Sequence, residues 1–453
     1  MMQRPITAPR LPATDMVLLA VFFIGIYLEV AIQITPTMPL PAAPSGLAGL
    51  VLLWRRRDSL RPLHLAGLLA VILLYILASL SVENYDYLGK RFTGLVQLSY
   101  SLIIGYAMML TVIQASRRQL SAFFLTFSIA ILIGSLLETH TGLRAISDQV
   151  RQAIYTSGVY ESDLRDELLY GKIRPKVFTS EPSAVTFGYT MFTFAWFLVS
   201  MMRRKLLVFL ALLGAGLMAM PGPTLLLSLP LLVPYYLFVV PKSPGSRQGF
   251  GQRAGILLLS MLLLIVFVVL GMTVYEERLN HILTGRDPSF FYRIIGPALV
   301  ALEVMKLQPW AGAGLTGEDA IANLVLKVYV RSEHYSAAWK ITDISTVLTN
   351  YFWLHWIYLG LVWGAVMLAA HSVWLRFLGV PSILFCWAVW VVFGQASGAY
   401  VGPKCWAIFF LAAGLSILHQ RVSIPAASPL RPVTARLAKP PRGYLTPYPA
   451  RTG

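Results

Sequence analysis

The chain of 453 residues is 57% hydrophobic and 13% charged, and its mean hydropathy is +0.67. Soluble domains contain about 25% charged residues, so this composition excludes an ordinary soluble protein. Apolar runs of about 18 residues or more recur along the chain, long enough for a helix to cross a bilayer. Because the runs are continuous and do not alternate, a β-barrel is excluded. The sequence predicts an all-α fold, a polytopic transmembrane helical bundle.

The apolar runs predict about twelve spans, and basic clusters fall in alternate connections between them. By the positive-inside rule these connections and both termini are cytoplasmic, so the net charge of +17 marks topology and does not indicate a nucleic-acid partner. The basic clusters are at 55–57, 117–118, 203–205 and 242–253. The expected spans are near 16–34, 38–54, 63–82, 94–114, 119–138, 182–202, 205–220, 223–240, 255–274, 346–372, 379–395 and 403–419.

The spans divide the chain into four parts. Nine spans occupy 1–274, with an outer loop at 139–181, and three more occupy 346–420. Between them, 275–345 forms a large outer loop whose semi-apolar stretches predict partly helical structure. The basic, proline-rich tail at 421–453 has no apolar period, and we expect it to be a disordered cytoplasmic segment.

Three polar landmarks occur in a fixed order in the predicted outer segments. The first is GKIRPKVFTSEPSAVTFG, at 171–188, with Arg174, Lys176 and Glu181. The second is GRDPSFFYRIIGPALVALEVMKLQPWAGAGL, at 285–315, with Arg286, Arg293, Gly312 and Gly314. The third is TNYFWLHWIYLGLVWG, at 349–364, with Asn350 and His355.

This order of landmarks on a twelve-span chain resembles the bacterial O-antigen/exopolysaccharide polymerase and O-antigen ligase superfamily, the Wzy-type and WaaL-type GT-C-like membrane glycosyltransferases. The resemblance covers about residues 60–420. It implies an enzyme of the bacterial inner membrane whose active site faces the periplasm. It further implies undecaprenyl-diphosphate-linked oligosaccharides and membrane lipid as partners, with a chain-length co-polymerase as a further partner, and no nucleic acid.

Departures from the family favour a polymerase over a ligase. Ligases tend to have His-Pro-Asn where this chain has Glu181, Pro182 and Ser183, and His-Asn where it has Thr349 and Asn350. O-antigen ligase activity remains an alternative. A transporter of polysaccharide or lipid-linked sugar is the alternative from another class. It is disfavoured because the halves show no internal repeat and few ionisable residues fall within the spans.

The implied reaction suggests roles for the landmark residues. Diphosphate is a good leaving group, so the site must mainly hold its charge and deprotonate an acceptor hydroxyl. No metal-ligand spacing is present, so we expect no metal and no cofactor, with cationic side chains in their place. The expected substrate-binding residues are Arg174, Lys176, Arg286, Arg293, Gly312, Gly314 and Asn350, and the candidate general bases are Glu181, His334 and His355.

Each of these residues also has a structural alternative. Arginines and lysines at span ends commonly extend to lipid headgroups, and Glu181 before Pro182 suits a helix N-terminus. Gly312 and Gly314 suit a tight turn that binds no ligand. His334 suits an exposed surface, and His355 lies between two tryptophans that suit the membrane interface. Cys386 and Cys405 fall in apolar segments and are expected to be inert core thiols.

The order of spans predicts which connections face the cytoplasm. A reporter fused after Arg57, Arg118 or Lys205 should behave as cytoplasmic, and one fused after Arg151 or Asp319 as external, because of the alternating charge clusters. Paired phosphatase and fluorescent reporters measure this. An external signal after Arg118 would contradict the proposed order.

Overall fold

The computed structural model describes residues 10–35, 38–155, 159–240, 287–336, 341 and 343–423, with isolated positions between 255 and 284. Within these residues the protein is all-α apart from one short hairpin, β1 (Ile32–Thr35) and β2 (Met38–Leu40). The helices in chain order are α1 (Ala13–Leu28), α2 (Ala43–Arg55), α3 (Pro62–Leu80), α4 (Leu88–Val112), α5 (Arg117–His140), α6 (Leu143–Ile154), α7 (Asp163–Tyr170), α8 (Pro182–Val199), α9 (Lys205–Ala219), α10 (Gly296–Leu307), α11 (Ala322–Val330), α12 (Tyr351–Phe377), α13 (Ile383–Gly394) and α14 (Pro403–Ser423).

The chain is an all-α membrane protein. Among the described residues, five helices are long and apolar enough to cross a bilayer, namely α3, α4, α5, α8 and α12. Four shorter apolar helical segments fall on other predicted spans, namely α1, α9, α13 and Pro223–Val239. The predicted span at 255–274 lies largely outside the described residues, as does the tail beyond 423. The number of twelve spans therefore stays a prediction.

The predicted span at 223–240 does not form one regular helix. It consists of a 3₁₀ helix (Pro223–Ser228), a short α turn (Leu232–Pro234) and a π turn (Tyr235–Val239). Prolines at 223, 230 and 234 explain this, because each removes an amide donor and clashes with the preceding helical turn.

Helix α8 lies in the interior of the bundle. Its apolar window is 94% buried, so protein surrounds it on nearly every side. Its sequence suits this position because it is apolar on all faces, as expected of a buried helix. The hydroxyl of Thr190 donates to the carbonyl of Thr186 at 2.6 Å, which satisfies a polar group without water. The N-terminus of α8, directly after the first landmark, is therefore fixed by the core.

Ion pairs lie at both ends of the bundle. At the end we call the basic end, Asp15 at the start of α1 pairs with Arg55 and Arg56 at the end of α2. Arg117 Nε donates to the carbonyl of Val199 there, at 3.1 Å. We call the opposite end the site end. There, Lys404 at the start of α14 pairs with Glu29 after α1. The N-termini of α8 and α12 lie at the same end.

Helix α12 is broken at Gly360, and the segment 308–314 fills the break. Gly360 has φ 65° and ψ −169°. The amides of Ala313 and Gly314 donate to the carbonyls of Ile357 and Tyr358 at 2.8 and 2.9 Å. On the other side of the break, the amide of Val362 donates to the carbonyl of Pro309 at 2.9 Å. The segment thus pairs backbone groups that a broken helix would leave unsatisfied.

Two glycines with positive φ test this contact. Gly312 (φ 56°) lies where a Cβ would be 2.4 Å from the carbonyl oxygen of Ile357, whereas Gly379 (φ 76°) has no atom within 4 Å of an added Cβ. The left-handed backbone costs an L-residue about 1–2 kcal/mol at either site. We expect Gly312→Ala to lower the unfolding temperature of the detergent-purified protein well beyond Gly379→Ala, because only Gly312 adds a clash. Equal shifts would contradict this packing.

Candidate functional site

The first landmark contains a strained loop that α5 holds in place. Val177 and Phe178 have φ of 37° and 65°, which is rare for a β-branched residue and uncommon for any residue except glycine. Glu138 of α5 accepts hydrogen bonds from the amides of Lys176 (2.9 Å) and Val177. The carboxylate is 4% exposed. Such strain persists only where the surroundings fix it, and here a buried carboxylate does so.

A second buried group, Arg151 of α6, fixes the end of the same loop. Its Nε donates to the carbonyl of Thr179 at 2.7 Å, and its Nη2 donates to the carbonyl of Ser180 at 2.9 Å. The side chain is 2% exposed. Arg151 was not predicted from the sequence, where it is one of two arginines on a short amphipathic helix. Together with Glu138, it sets the backbone position at which Glu181 begins α8.

Arg174 and Lys176 point into this loop and are already paired. Arg174 contacts Asp166 through Nη2 and Nε, at 2.8 and 2.9 Å, and lies over the ring of Tyr170 at 4.6 Å. Lys176 is 3% exposed and its Nζ lies 3.2 Å from a carboxylate oxygen of Asp163. The donors of both cations face protein carboxylates or aromatic rings, and substrate binding by Arg174 and Lys176 stays a prediction.

The site forms where the first and second landmarks meet. Arg293 Nη2 lies 3.4 Å from Glu181 Oε1 and 3.3 Å from Ser183 Oγ, and the Ser183 hydroxyl donates to Glu181. Glu181 is the N-cap residue of α8, but its side chain makes no capping hydrogen bond. The Glu181 and Arg293 side chains are 41% and 25% exposed, unlike the pairs that hold the loop. This pair can therefore contact a ligand.

The charges around Glu181 determine its protonation. Burial acts to raise the pKa of the carboxyl, but the charge of Arg293, the Ser183 hydrogen bond and the charges of Lys404 and Arg174 together hold it below its ordinary value. Glu181 is therefore a carboxylate at neutral pH. Protein surrounds much of Glu181, yet 41% of its side chain is accessible, so the carboxylate is not sealed inside the bundle.

Asn350 of the third landmark holds Arg293 in position. As N-cap of α12, its Oδ1 accepts from the amides of Phe352 and Trp353, at 3.1 and 3.2 Å. Its Nδ2 donates to the carbonyl of Arg293 at 2.7 Å and to Gln395 Oε1 at 3.0 Å. Arg293 lies in a π turn (Phe291–Ile295), a rare geometry that often occurs at functional sites. Asn350 is fully buried and positions the backbone of Arg293, and its predicted contact with substrate stays a prediction.

The two candidate histidines lie apart from this pair. His355 is 2% exposed; its Nδ1 lies 3.0 Å from Tyr400 Oη and its Nε2 lies 3.1 Å from the carbonyl oxygen of Gly364. Both ring nitrogens are therefore engaged inside the bundle. His334 is exposed in the turn after α11, where its amide donates to Ser332 Oγ at 3.3 Å. Of the three predicted bases, only Glu181 lies beside Arg293.

Three predicted binding residues remain, namely Gly312, Gly314 and Arg286. The amides expected to cradle phosphate are occupied: that of Gly312 donates to the carbonyl of Gln308 at 3.1 Å, and that of Gly314 donates to Tyr358. These glycines therefore serve the close contact with α12. Arg286 lies outside the described residues. In the part of the chain that the structure describes, no three His, Cys, Asp or Glu side chains group in a way that could hold a metal ion.

Lys404 is a basic residue whose charge acts on Glu181, and it was not predicted from the sequence. It lies in the first turn of α14, its side chain is 9% exposed, and its Nζ pairs with Glu29. The same Nζ lies 4.7 Å from the centre of the Phe187 ring on α8. A signal was present in the sequence, since YVGPKCW places one lysine at the predicted outer start of an apolar span.

The lowered pKa of Glu181 predicts a pH-dependent stability difference. A carboxyl whose pKa is lower in the folded state stabilises it above the ordinary value of 4.5, and this contribution is lost as pH falls through the folded pKa. We expect wild type to unfold at a higher temperature than Glu181→Gln at pH 7, with the gap closing as the pH approaches 4. Thermal unfolding in detergent at graded pH measures this.

Glu303 supplies the matched control. It is 37% exposed and its carboxylate lies 3.6 Å from Lys306 on the same helix, an ordinary surface pair. Such pairs contribute little, so Glu303→Gln should change the unfolding temperature only slightly at any pH. A gap between wild type and Glu181→Gln that widens toward acid pH would contradict the assigned electrostatics.

Comparison with known proteins adds no family assignment. No protein-family model matches this sequence, and no curated protein matches it either. The similarity of the three landmarks to the polymerase and ligase superfamily therefore stays a resemblance.

Proposed function

We propose that the protein is a polysaccharide polymerase that joins undecaprenyl-diphosphate-linked oligosaccharide repeat units at the outer face of the bacterial inner membrane. The observation that carries the proposal is the accessible Glu181–Arg293 pair. Two landmarks more than 100 residues apart meet in it, and Asn350 of the third fixes the backbone of Arg293. The proposed topology keeps twelve spans with both termini in the cytoplasm.

Arg293 is the proposed ligand for the diphosphate. A guanidinium stays protonated near lipid and offers two parallel N–H groups to phosphate oxygens. The N-terminus of α8 adds the positive end of a helix dipole at Glu181 and Ser183. These groups would stabilise the negative charge that develops on the leaving diphosphate, which is the main requirement of the reaction.

Glu181 is the proposed acceptor of the nucleophile's proton. The acceptor sugar hydroxyl forms a new bond to the anomeric carbon of the donor while the bond from that carbon to the diphosphate oxygen breaks. The hydroxyl proton passes to Glu181, and the electron pair of the broken bond leaves with undecaprenyl diphosphate. A carboxylate within hydrogen-bond reach of the hydroxyl is a suitable base for this step.

The resting pair suggests how donor binding prepares the base. Without donor, Arg293 helps hold the Glu181 pKa down, which also makes the carboxylate a weak base. A diphosphate that engages Arg293 would neutralise this influence and bring further negative charge close to Glu181. Both effects raise the pKa of the carboxyl. Donor binding would thus strengthen the base that the next step uses.

Substitutions at the pair should separate binding from turnover. Arg293→Ala should abolish donor binding, and Arg293→Lys should fail almost as severely, because a point charge loses the two-pronged geometry. Glu181→Gln should bind donor but lower turnover by about 100-fold to 10,000-fold, the range for general-base catalysis. Polymer formation and donor binding should be measured on the same purified variants, with lipid-linked repeat units.

Arg144→Ala is the control for removing an arginine that pairs with carboxylates in the loop region. Arg144 is 31% exposed and pairs with Asp163, so its loss should leave polymer formation within a few-fold of wild type. Full activity of both Glu181→Gln and Arg293→Ala would overturn the proposed mechanism. Glycan transfer to a lipid acceptor without chain growth would indicate a ligase, and substrate movement without new glycosidic bonds would indicate a transporter.

A further inference from the structure

We propose that Lys404 is a second phosphate-binding cation of this site, placed to hold the part of the lipid-linked diphosphate that Arg293 does not reach. The inference rests on the proposed function and adds a residue to it. Lys404 was not among the residues that the landmarks indicated.

The diphosphate needs a second cation beside Arg293, and the cations of the first landmark are already paired with carboxylates. A diphosphate diester carries about two negative charges, and a protein without a metal would balance them with cationic side chains. Arg174 is committed to Asp166, and Lys176 is committed to Asp163. Arg293 has one Nη2 contact with Glu181 and is accessible, but it supplies one charge.

The geometry places Lys404 along the same face of α8. Its Nζ lies 4.7 Å from the Phe187 ring centre, and Phe187 follows Ser183 by one helical turn. Residues four apart on a helix are neighbours at roughly 5–6 Å between Cβ atoms. Ser183 Oγ in turn lies 3.3 Å from Arg293 Nη2. Ser183 and Phe187 therefore connect the two cations along one helix face beside Glu181.

The surroundings of Lys404 are unfavourable for a purely structural lysine. It lies in the first turn of α14, where the helix dipole disfavours a cation, and its side chain is 9% exposed. Its partner Glu29 is 34% exposed, so Glu29 keeps its access to water when the pair opens. A diphosphate can thus replace Glu29 at the ammonium without leaving a carboxylate buried and unpaired.

The two cations suit different parts of the ligand. Arg293 offers a planar pair of donors, whereas the Lys404 ammonium is a compact charge with three rotatable donors. Engagement of both would fix the orientation of the diphosphate on α8, with the glycosidic bond next to Glu181. Lys404 would therefore act mainly on donor affinity, and the residue itself transfers no proton.

A double-variant test separates a ligand role from a structural role. The variants are Lys404→Met, Glu29→Gln and the two combined, in the full-length protein in lipid nanodiscs. Binding of undecaprenyl diphosphate is measured directly, with inorganic diphosphate as competitor to distinguish the phosphate contacts from those of the lipid chain. If Lys404 only neutralises Glu29, removing both charges should restore binding, since no unpaired charge remains.

If Lys404 binds the ligand, Lys404→Met and the double variant should both lose at least about tenfold in affinity, equal to about 1.4 kcal/mol, while Glu29→Gln binds as well as wild type or better. Lys404→Arg should retain most binding. Lys90→Met is the matched control, because Lys90 is 54% exposed and pairs with Asp319 near the start of α4. It should bind as wild type does.

The outcomes distinguish this inference from the proposed function. Wild-type affinity in the double variant, while Arg293→Ala abolishes binding, would overturn the role of Lys404 alone. Absence of undecaprenyl diphosphate binding by the wild-type protein would overturn the proposed function and the inference with it. Unfolding temperatures of each variant show whether a loss of binding is a loss of fold, and the double variant removes both charges of the pair together.

Discussion

The irregular segments of this protein depend on one constraint: backbone polar groups among apolar helices must find partners inside the protein. At Gly360 a membrane helix is broken, and the amides of Ala313 and Gly314 donate to the carbonyls before the break. Without water in the hydrocarbon region, an unpaired group costs several kcal/mol. The break can therefore exist only together with the inserted segment, and the close approach requires glycine at 312.

The same constraint assigns several polar side chains to scaffolding. Glu138 and Arg151 bind backbone groups of the loop before α8, and Asn350 caps α12 while binding the carbonyl of Arg293. These side chains are almost completely buried, and each serves the backbone of a segment that is neither helix nor strand. What they fix are the positions of Glu181 and Arg293, whose own side chains remain partly accessible. The site is thus a product of the irregular backbone around it.

The sequence predicted the helices well because a long apolar run indicates a segment that is buried in protein or in contact with lipid. It placed α3, α5 and α8 to within a few residues. At 223–240 the sequence predicted an apolar span, and the structure has an irregular apolar helical segment there, because three prolines lack the amide donors of a regular helix. Composition alone likewise gave no sign that α8 is enclosed by protein while α3 is largely exposed.

The candidate site was predicted less completely than the helices, because a charged side chain can pair with any of several opposite charges and the sequence does not show which one. Arg174 and Arg293 look alike in sequence, and nothing in it shows that Asp166 folds back onto Arg174 while Arg293 reaches Glu181. Lys404 and Arg151 were not predicted because each lies near the end of its helix, where cations commonly extend to the surface. Bringing the three landmarks together requires the tertiary contacts of α8, α12 and the π turn.

The pairing of Arg293 and of Lys404 also bears on how a charged headgroup could enter. Arg293 faces Glu181 and Lys404 faces Glu29, so both charges are compensated before any ligand arrives. An unpaired cation in such surroundings would be costly, whereas exchanging a carboxylate for a phosphate keeps each cation neutralised. The released carboxylates have different fates: Glu29 returns toward water, while Glu181 stays at the N-terminus of α8 beside the bound headgroup. On the proposed mechanism, this difference makes one carboxylate a counter-ion and the other a base.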